Sequence, residues 1–241
     1  MVEVALSPAD LANQDLAGRA VFVIDILRAT TTIAAALHHG ATTVIPVSTP
    51  EAARQVALGF PDAVLAGERD CLRIPGFDAG NSPLEMRPRA VGGHPVVLCT
   101  TNGTGAFATV GAAAHVYSLA AVNFTVSVVR ARALLEESGD LLVACAGREG
   151  GFGLDDAYTA GRLILGALDG QKPRQGANDS ALVCIDLARR YSTWLRPLLA
   201  ARAGRELVRL GFRDDVVLAA TQDRYPVLPQ FSERRITVRA A

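Results

Sequence analysis

Short apolar runs recur along the chain, at 21–26, 43–47, 64–66, 96–99, 115–118 and 141–144, with weaker ones at 2–5 and 236–238. Most are continuous rather than alternating, so these strands are expected to be buried on both faces. Between them lie alanine-rich stretches of helical length, at 32–39, 50–59, 105–111, 123–138, 157–168, 180–191 and 194–203. Strand and helix in alternation predict an α/β fold: a mostly parallel sheet in a three-layer α/β/α arrangement. With 241 residues, half of them hydrophobic, the chain can bury one large core. No Pro- or Ser-rich linker divides it, so residues 1–241 are read as a single domain. One weak echo suggests an internal duplication. "VIDILRATTTIAAAL", "VVLCTTNGTGAFATV" and "LLVACAGREGGFGLDDAYTAG" each run strand, polar cluster, helix.

Composition excludes several classes. Twenty-four basic residues balance twenty-four acidic ones, which argues against a nucleic-acid partner or an anionic membrane surface. The basic residues are arginines apart from Lys172, and arginine is the better fork for oxyanions. Cys71, Cys99, Cys145 and Cys184 are widely spaced and form no CxxC pair, so neither a zinc site nor a disulfide framework is expected. The N-terminus does not read as a signal peptide, and no apolar run has membrane-spanning length; a cytoplasmic protein is expected. Apolar helices such as 123–129 would permit a homodimer.

Ligands of parallel α/β sheets bind beyond the carboxyl ends of the strands, and the polar clusters of this chain fall there. The first run is followed by Asp25, Arg28 and Thr30, Thr31 and Thr32. "LAGERD" offers Glu68 and Arg69, and "CTTNGTGA" offers Thr100, Thr101, Asn102 and Thr104 on a glycine-permissive turn. "CAGREGGFGLDD" offers Arg148, Glu149, Asp155 and Asp156. Threonine- and glycine-rich turns at helix starts present N–H groups and hydroxyls to an anion, and Arg28 and Arg148 would add bidentate grips. Several carboxylates in one cleft repel one another unless a cation sits among them. Oxygen ligands with no His or Cys nearby suit Mg²⁺. Plainer roles stay open: the threonines can cap a helix, Asp25 can pair with Arg28, and Asp155 or Asp156 can cap the helix that follows. Gly103 is expected either in a conformation that favours glycine or at a close approach to the ligand that excludes a Cβ.

Other motifs fail on their own terms. "GTGAFA" matches a dinucleotide fingerprint, but the acidic residue expected about twenty positions on is missing. That leaves a nucleotide-dependent oxidoreductase as a weak alternative, beside a binding or sensory module without chemistry. No phosphate loop of the G-x-x-x-x-G-K-[ST] type occurs. Cys99 lacks the arginine of a cysteine phosphatase, and Asp25 lacks the second aspartate of a phosphoaspartate enzyme.

Together, "VIDILRATTTI", "GERDCLRIPGFDAGNSPLE", "TTNGTGA" and "GREGGFGLDDAYTAG" resemble the 2-phosphosulfolactate phosphatase family, densely from 21 to 161 and more loosely through "LGFRDDVVLAATQDRYPVLPQF". The resemblance implies an α/β/α fold of two intertwined, related halves. It also implies a Mg²⁺-dependent phosphatase that removes phosphate from 2-phosphosulfolactate in coenzyme M biosynthesis. Carried over to matching positions, the blocks mark Asp25, Arg28, Thr30, Glu68, Asn81, Ser82, Thr101, Asn102, Gly103, Arg148, Glu149, Asp155 and Asp156. The expected catalytic group is Asp25, Arg28, Glu68, Asp155 and Asp156, with Asp25 and Glu68 as metal ligands. Thr30, Thr31, Asn81, Ser82, Thr101, Asn102, Gly103, Thr104, Arg148 and Glu149 are the expected substrate contacts. The irregular stretch 75–94, which holds "GFDAGNSP", then gains a purpose.

Overall fold

A computed structural model describes residues 1–12, 14–171, 173 and 176–239. The chain opens with β1 (Val2–Ala5), β2 (Ala20–Ile24) and α1 (Ala29–His38), then β3 (Thr43–Val47), α2 (Pro50–Ala57), β4 (Val64–Arg69) and β5 (Leu72–Arg73). A short α3 (Pro88–Val91) precedes β6 (Pro95–Cys99), α4 (Gly103–Thr109), β7 (His115–Leu119), α5 (Phe124–Ser138) and β8 (Leu141–Cys145). The last third holds α6 (Leu154–Ala167), α7 (Asp179–Arg190), α8 (Leu195–Ala200), α9 (Arg202–Arg209) and α10 (Arg213–Ala219). A hairpin of β9 (Pro229–Ser232) and β10 (Arg235–Val238) closes it.

Ten strands form one sheet in the order β1-β8-β2-β7-β9-β10-β3-β6-β4-β5. It consists of two parallel blocks, β1-β8-β2-β7 and β3-β6-β4, joined through the antiparallel hairpin β9-β10. The chain starts in the first block, crosses through α1 into the second, and returns through α4 to β7 and β8. The halves are therefore intertwined as the resemblance implied.

Strands β2, β6 and β8 are buried along their whole length, in keeping with their unbroken apolar sequence. Helices α5, α6 and α7 lie on the first block and α2 on the second, while α1 and α4 touch each other and both blocks. The close approach of α6 and α7 requires Gly161, where a Cβ would lie 1.9 Å from the Cys184 carbonyl oxygen. One large apolar core runs through the molecule. A smaller one, including Ile45, Ala53, Phe77 and Val97, sits beneath α2.

Three antiparallel pairings separate β7 from β3, so the blocks run in opposite senses and a flat sheet would put their carboxyl ends at opposite edges. Each step between strands twists by roughly 20–25°. Accumulated along the sheet between β2 and β6, that twist swings the two sets of ends toward each other. Gly103, after β6, lies so close to Asp25, after β2, that a Cβ there would sit 2.5 Å from Asp25 Oδ2.

Some elements differ from expectation. Helix α1 begins three residues before the predicted start, so all three threonines lie in its first turn and Arg28 is the N-cap. The stretch 194–203 is broken at Ala201, whose ψ of 151° ends α8 and starts α9. Strand β9 and helices α3, α9 and α10 carry too short or too polar a pattern to stand out in sequence. Among the described residues, no helix is long and apolar enough to cross a membrane.

Candidate active site

Asp25 is the first residue beyond β2, and the turn that follows is locked by the threonines. The Asp25 N–H donates to Thr30 Oγ1 (3.3 Å), Thr31 Oγ1 donates to the Ile26 carbonyl (2.8 Å) and Thr32 Oγ1 to the Asn81 carbonyl (2.9 Å). All three are buried. The polarity at this strand exit thus shapes the turn and pins the 80–82 loop to it, and it leaves the Asp25 carboxylate facing a cleft.

Two further carboxylates tie the mouth together. Glu68, at the end of β4, accepts from the Thr101 N–H (2.8 Å) and the Cys71 N–H (2.9 Å), joining the turns after β4 and β6. Asp156, in the first turn of α6, accepts from the Ile26 N–H (3.0 Å) and the Gly147 N–H (3.2 Å), joining the exits of β2 and β8. Thr104 folds back on its own turn, its hydroxyl donating to the Thr100 carbonyl (2.9 Å).

Arg28 is 4% exposed. Its Nη1 donates to Asp215 of α10 (2.7 Å), its Nη2 to the Cys71 carbonyl (2.8 Å), and its guanidinium lies 4.6 Å from the Phe212 ring centroid. Ser82 Oγ donates to the other Asp215 oxygen (2.6 Å). The ion pair open in sequence between Arg28 and Asp25 is therefore not the one formed: the fork is held by Asp215, and Asp25 remains free of it.

The cleft has two chambers that share Asp25, Leu27, Asn102, Arg148 and Ala203. The smaller, about 170 Å³, adds Arg28, Glu68, Asn81, Thr101 and Glu149. The larger, about 340 Å³, adds Asp155, Asp156, Phe152, Arg202 and Arg205. Ten expected site residues are thus brought to one cleft. Thr30, Thr31, Ser82 and Thr104 stand behind it, and Gly103 lies beneath Asp25. Asp215, Cys71, Arg202 and Arg205 were not singled out in sequence. The only signal for Asp215 is the acidic pair in "GFRDD", whose reach to Arg28 across 187 positions is a tertiary fact.

Crowding shows in the electrostatics. Burial, and then the charges of Asp155 and Glu68, raise the Asp25 carboxyl to about 7. Burial raises Asp155 to about 6 against the pull of backbone N–H groups and Arg148. Burial, then Asp155 and Asp25, push Asp156 well above the usual carboxylate range. Such a set of hard oxygen donors gains from a cation among them. Among the described residues, no three His, Cys, Asp or Glu side chains gather tightly enough to hold an ion alone. The carboxylate and amide oxygens that line the cleft are donors of the kind Mg²⁺ takes.

Donors face these carboxylates. Asn102 caps nothing with its side chain, and Arg148 Nε is buried without a hydrogen-bond partner among the described residues. Gly103 has an ordinary helical backbone, so space and not backbone strain excludes a larger residue there: a Cβ would lie 2.5 Å from both Ala29 Cβ and Asp25 Oδ2. Gly103→Ala is expected to destabilise by about 1–3 kcal/mol through overpacking and to displace Asp25. Thermal melts and kinetics check this. A wild-type melting temperature together with wild-type kinetics would show that the contact yields freely.

A two-block α/β sheet whose strand ends converge on buried carboxylates and arginine forks defines an α/β protein whose cleft offers grips for a small oxyanion. The comparisons name the family. The 2-phosphosulpholactate phosphatase profile matches residues 5–234, and the chain belongs to that family. A relative from Symbiobacterium thermophilum named "Probable 2-phosphosulfolactate phosphatase" is 41% identical over 228 residues, covering 93% of this chain and 96% of its own. Identically named relatives from Deinococcus radiodurans (40% identity, 86% and 85% coverage) and Thermus thermophilus (39%, 87% and 86%) align over nearly as much.

Proposed function

We propose that the chain is a Mg²⁺-assisted phosphoric monoester hydrolase that converts 2-phosphosulfolactate, or a similar small phosphorylated hydroxy acid, to the hydroxy acid and inorganic phosphate. The observation that carries this reading is the meeting, in one cleft, of Asp25, Glu68 and Asp155 with the arginines Arg28 and Arg148, in a chain of this family. Asp25 and Glu68 would hold the metal. When bound, Mg²⁺ would offset the phosphate charge and acidify water.

The chain's own groups do the rest. Arg28, held by Asp215, offers its remaining N–H groups to the phosphoryl oxygens. Water adds to phosphorus as the bond to the alkyl oxygen breaks. Asp155, whose carboxyl titrates at about 6, takes the proton from water and can return it to the leaving alkoxide. In a cytoplasm that makes coenzyme M, sulfolactate would feed that synthesis.

Phosphate release from a panel of phosphorylated hydroxy acids, with and without Mg²⁺, tests the reading. Tight binding with no phosphate released would make the protein a binding module instead. Asn102→Ala is expected to lower kcat by about tenfold or more with little change in melting temperature, because its amide braces no local structure and meets charge that develops at the phosphoryl group. A change confined to KM would place Asn102 on the ground-state substrate only.

A further inference from the structure

The larger chamber has a wall to which the phosphatase reading gives no task. Helix α9 presents Arg202 and Arg205 there, opposite Asp155 and Asp156. Being three apart, they share one helical face. They also sit in the first turn of α9, which has no acidic residue. Positive charge at that end opposes the helix dipole, so these arginines are not placed for the helix's own stability. Arg148 lines both chambers, and its buried Nε finds no hydrogen-bond acceptor among the described residues. One acid group, Glu149 of the smaller chamber's lining, reaches across to this wall. The Glu149 carboxylate takes Arg202 in a two-pronged pair, Nη2 to Oε1 and Nη1 to Oε2 at 3.0 Å each, and stands 3.7 Å from Arg148 Nε. Arg205 Nη1 donates to the Ala200 carbonyl.

We infer that Arg148, Arg202 and Arg205 form a second acid-group subsite, which takes the sulfonate of the substrate in competition with the Glu149 carboxylate that pairs with Arg202. The identity of that ligand rests on the proposed function. A sulfonate has three weakly basic oxygens in a tripod, so several arginine forks can share it without proton transfer. The small side chains of Ala200, Ala201 and Ala203 on the same wall leave room for it. The phosphoryl group then lies beside Asp25, which both chambers share, between Arg28 of the smaller chamber and Asp155 of the larger, and the sulfonate lies farther along the larger chamber's arginine wall.

The test compares 2-phosphosulfolactate with 2-phospholactate, which keeps the phosphate and carboxylate and carries a methyl in place of the sulfomethyl group. In Arg202→Ala/Arg205→Ala, the ratio of kcat/KM for the two substrates should fall by about tenfold or more, through KM for the sulfonated one. Glu149→Gln should lower that KM, because it weakens the competing internal acid. Equal losses for both substrates, or an unchanged ratio, overturn the inference. Should wild-type protein release phosphate from neither, the phosphatase reading fails, and calorimetric titration with sulfolactate against lactate decides the subsite by itself. Preference for sulfolactate that the double variant loses supports it. Equal binding of the two acids, no binding of either, or binding that survives the double substitution overturns it.

Discussion

Asp25→Asn is expected to fold, to melt higher than the wild type at pH 8 in the absence of divalent metal, and to lose most phosphate release. The Asp25 carboxyl is raised from 3.8 to about 7. A carboxyl raised in the folded state opposes folding once it ionises. Its contribution is therefore at its best below about pH 4 and is lost as pH climbs to about 7. Asparagine keeps an acceptor for the Ala29 N–H but carries no charge, so the variant escapes that loss. The gain at pH 8 is roughly 1–3 kcal/mol after relaxation and should vanish toward pH 4. Mg²⁺ should raise the wild-type melting temperature at pH 8 and hardly move that of the variant. Melts from pH 4 to 8, with and without Mg²⁺, check both statements. A variant that melts lower at every pH and keeps the wild-type response to Mg²⁺ would make Asp25 a structural residue.

Asp215→Ala is expected to be the most damaging single change at the back of the site. Arg28 and Asp215 are 3% and 2% exposed and bonded at 2.7 Å. Removing the carboxylate strands a buried guanidinium and the Ser82 hydroxyl together, at a cost of about 3–5 kcal/mol. Asp215→Asn keeps the shape and one acceptor, so it should cost less while still letting Arg28 swing. Misplacement of that grip predicts a kcat/KM loss of about a hundredfold for Asp215→Asn, larger than its loss of stability explains. Urea melts alongside kinetics separate the two effects. If Asp215→Asn loses stability but keeps wild-type kinetics at a temperature where it is folded, Asp215 serves the core and not the site.

The pattern of residues along the chain determined a good deal. Unbroken apolar runs in β2, β6 and β8 have no face that water could occupy, which is enough to require a sheet covered on both sides. Short polar turns after those strands had to lie at their carboxyl ends, so the Asp25, Thr101–Asn102 and Arg148 clusters could each be assigned to a strand's carboxyl end from order alone, while the sheet's twist decided that the ends of the two blocks meet. What stayed hidden was decided over long separations. Nothing local says that Arg28 pairs with Asp215 rather than with Asp25 three positions away. That choice follows from α10, packed on α8 and α9, bringing Asp215 to Arg28. Helix α10 and strand β9 are too short to carry a periodic signal, yet one anchors the arginine and the other joins the two blocks. Gly103 could be marked as special by its turn. The reason proved to be neither backbone conformation nor a ligand but the approach of Asp25 and Ala29, which depends on the twist that brings the end of β6 against the end of β2. Local sequence sets which segments are strands or helices and which are polar, because backbone sterics and burial periodicity act over a few residues. Which charges finally meet is set by packing between distant segments, because in the interior each buried charge must be answered by whatever partner the fold brings to it.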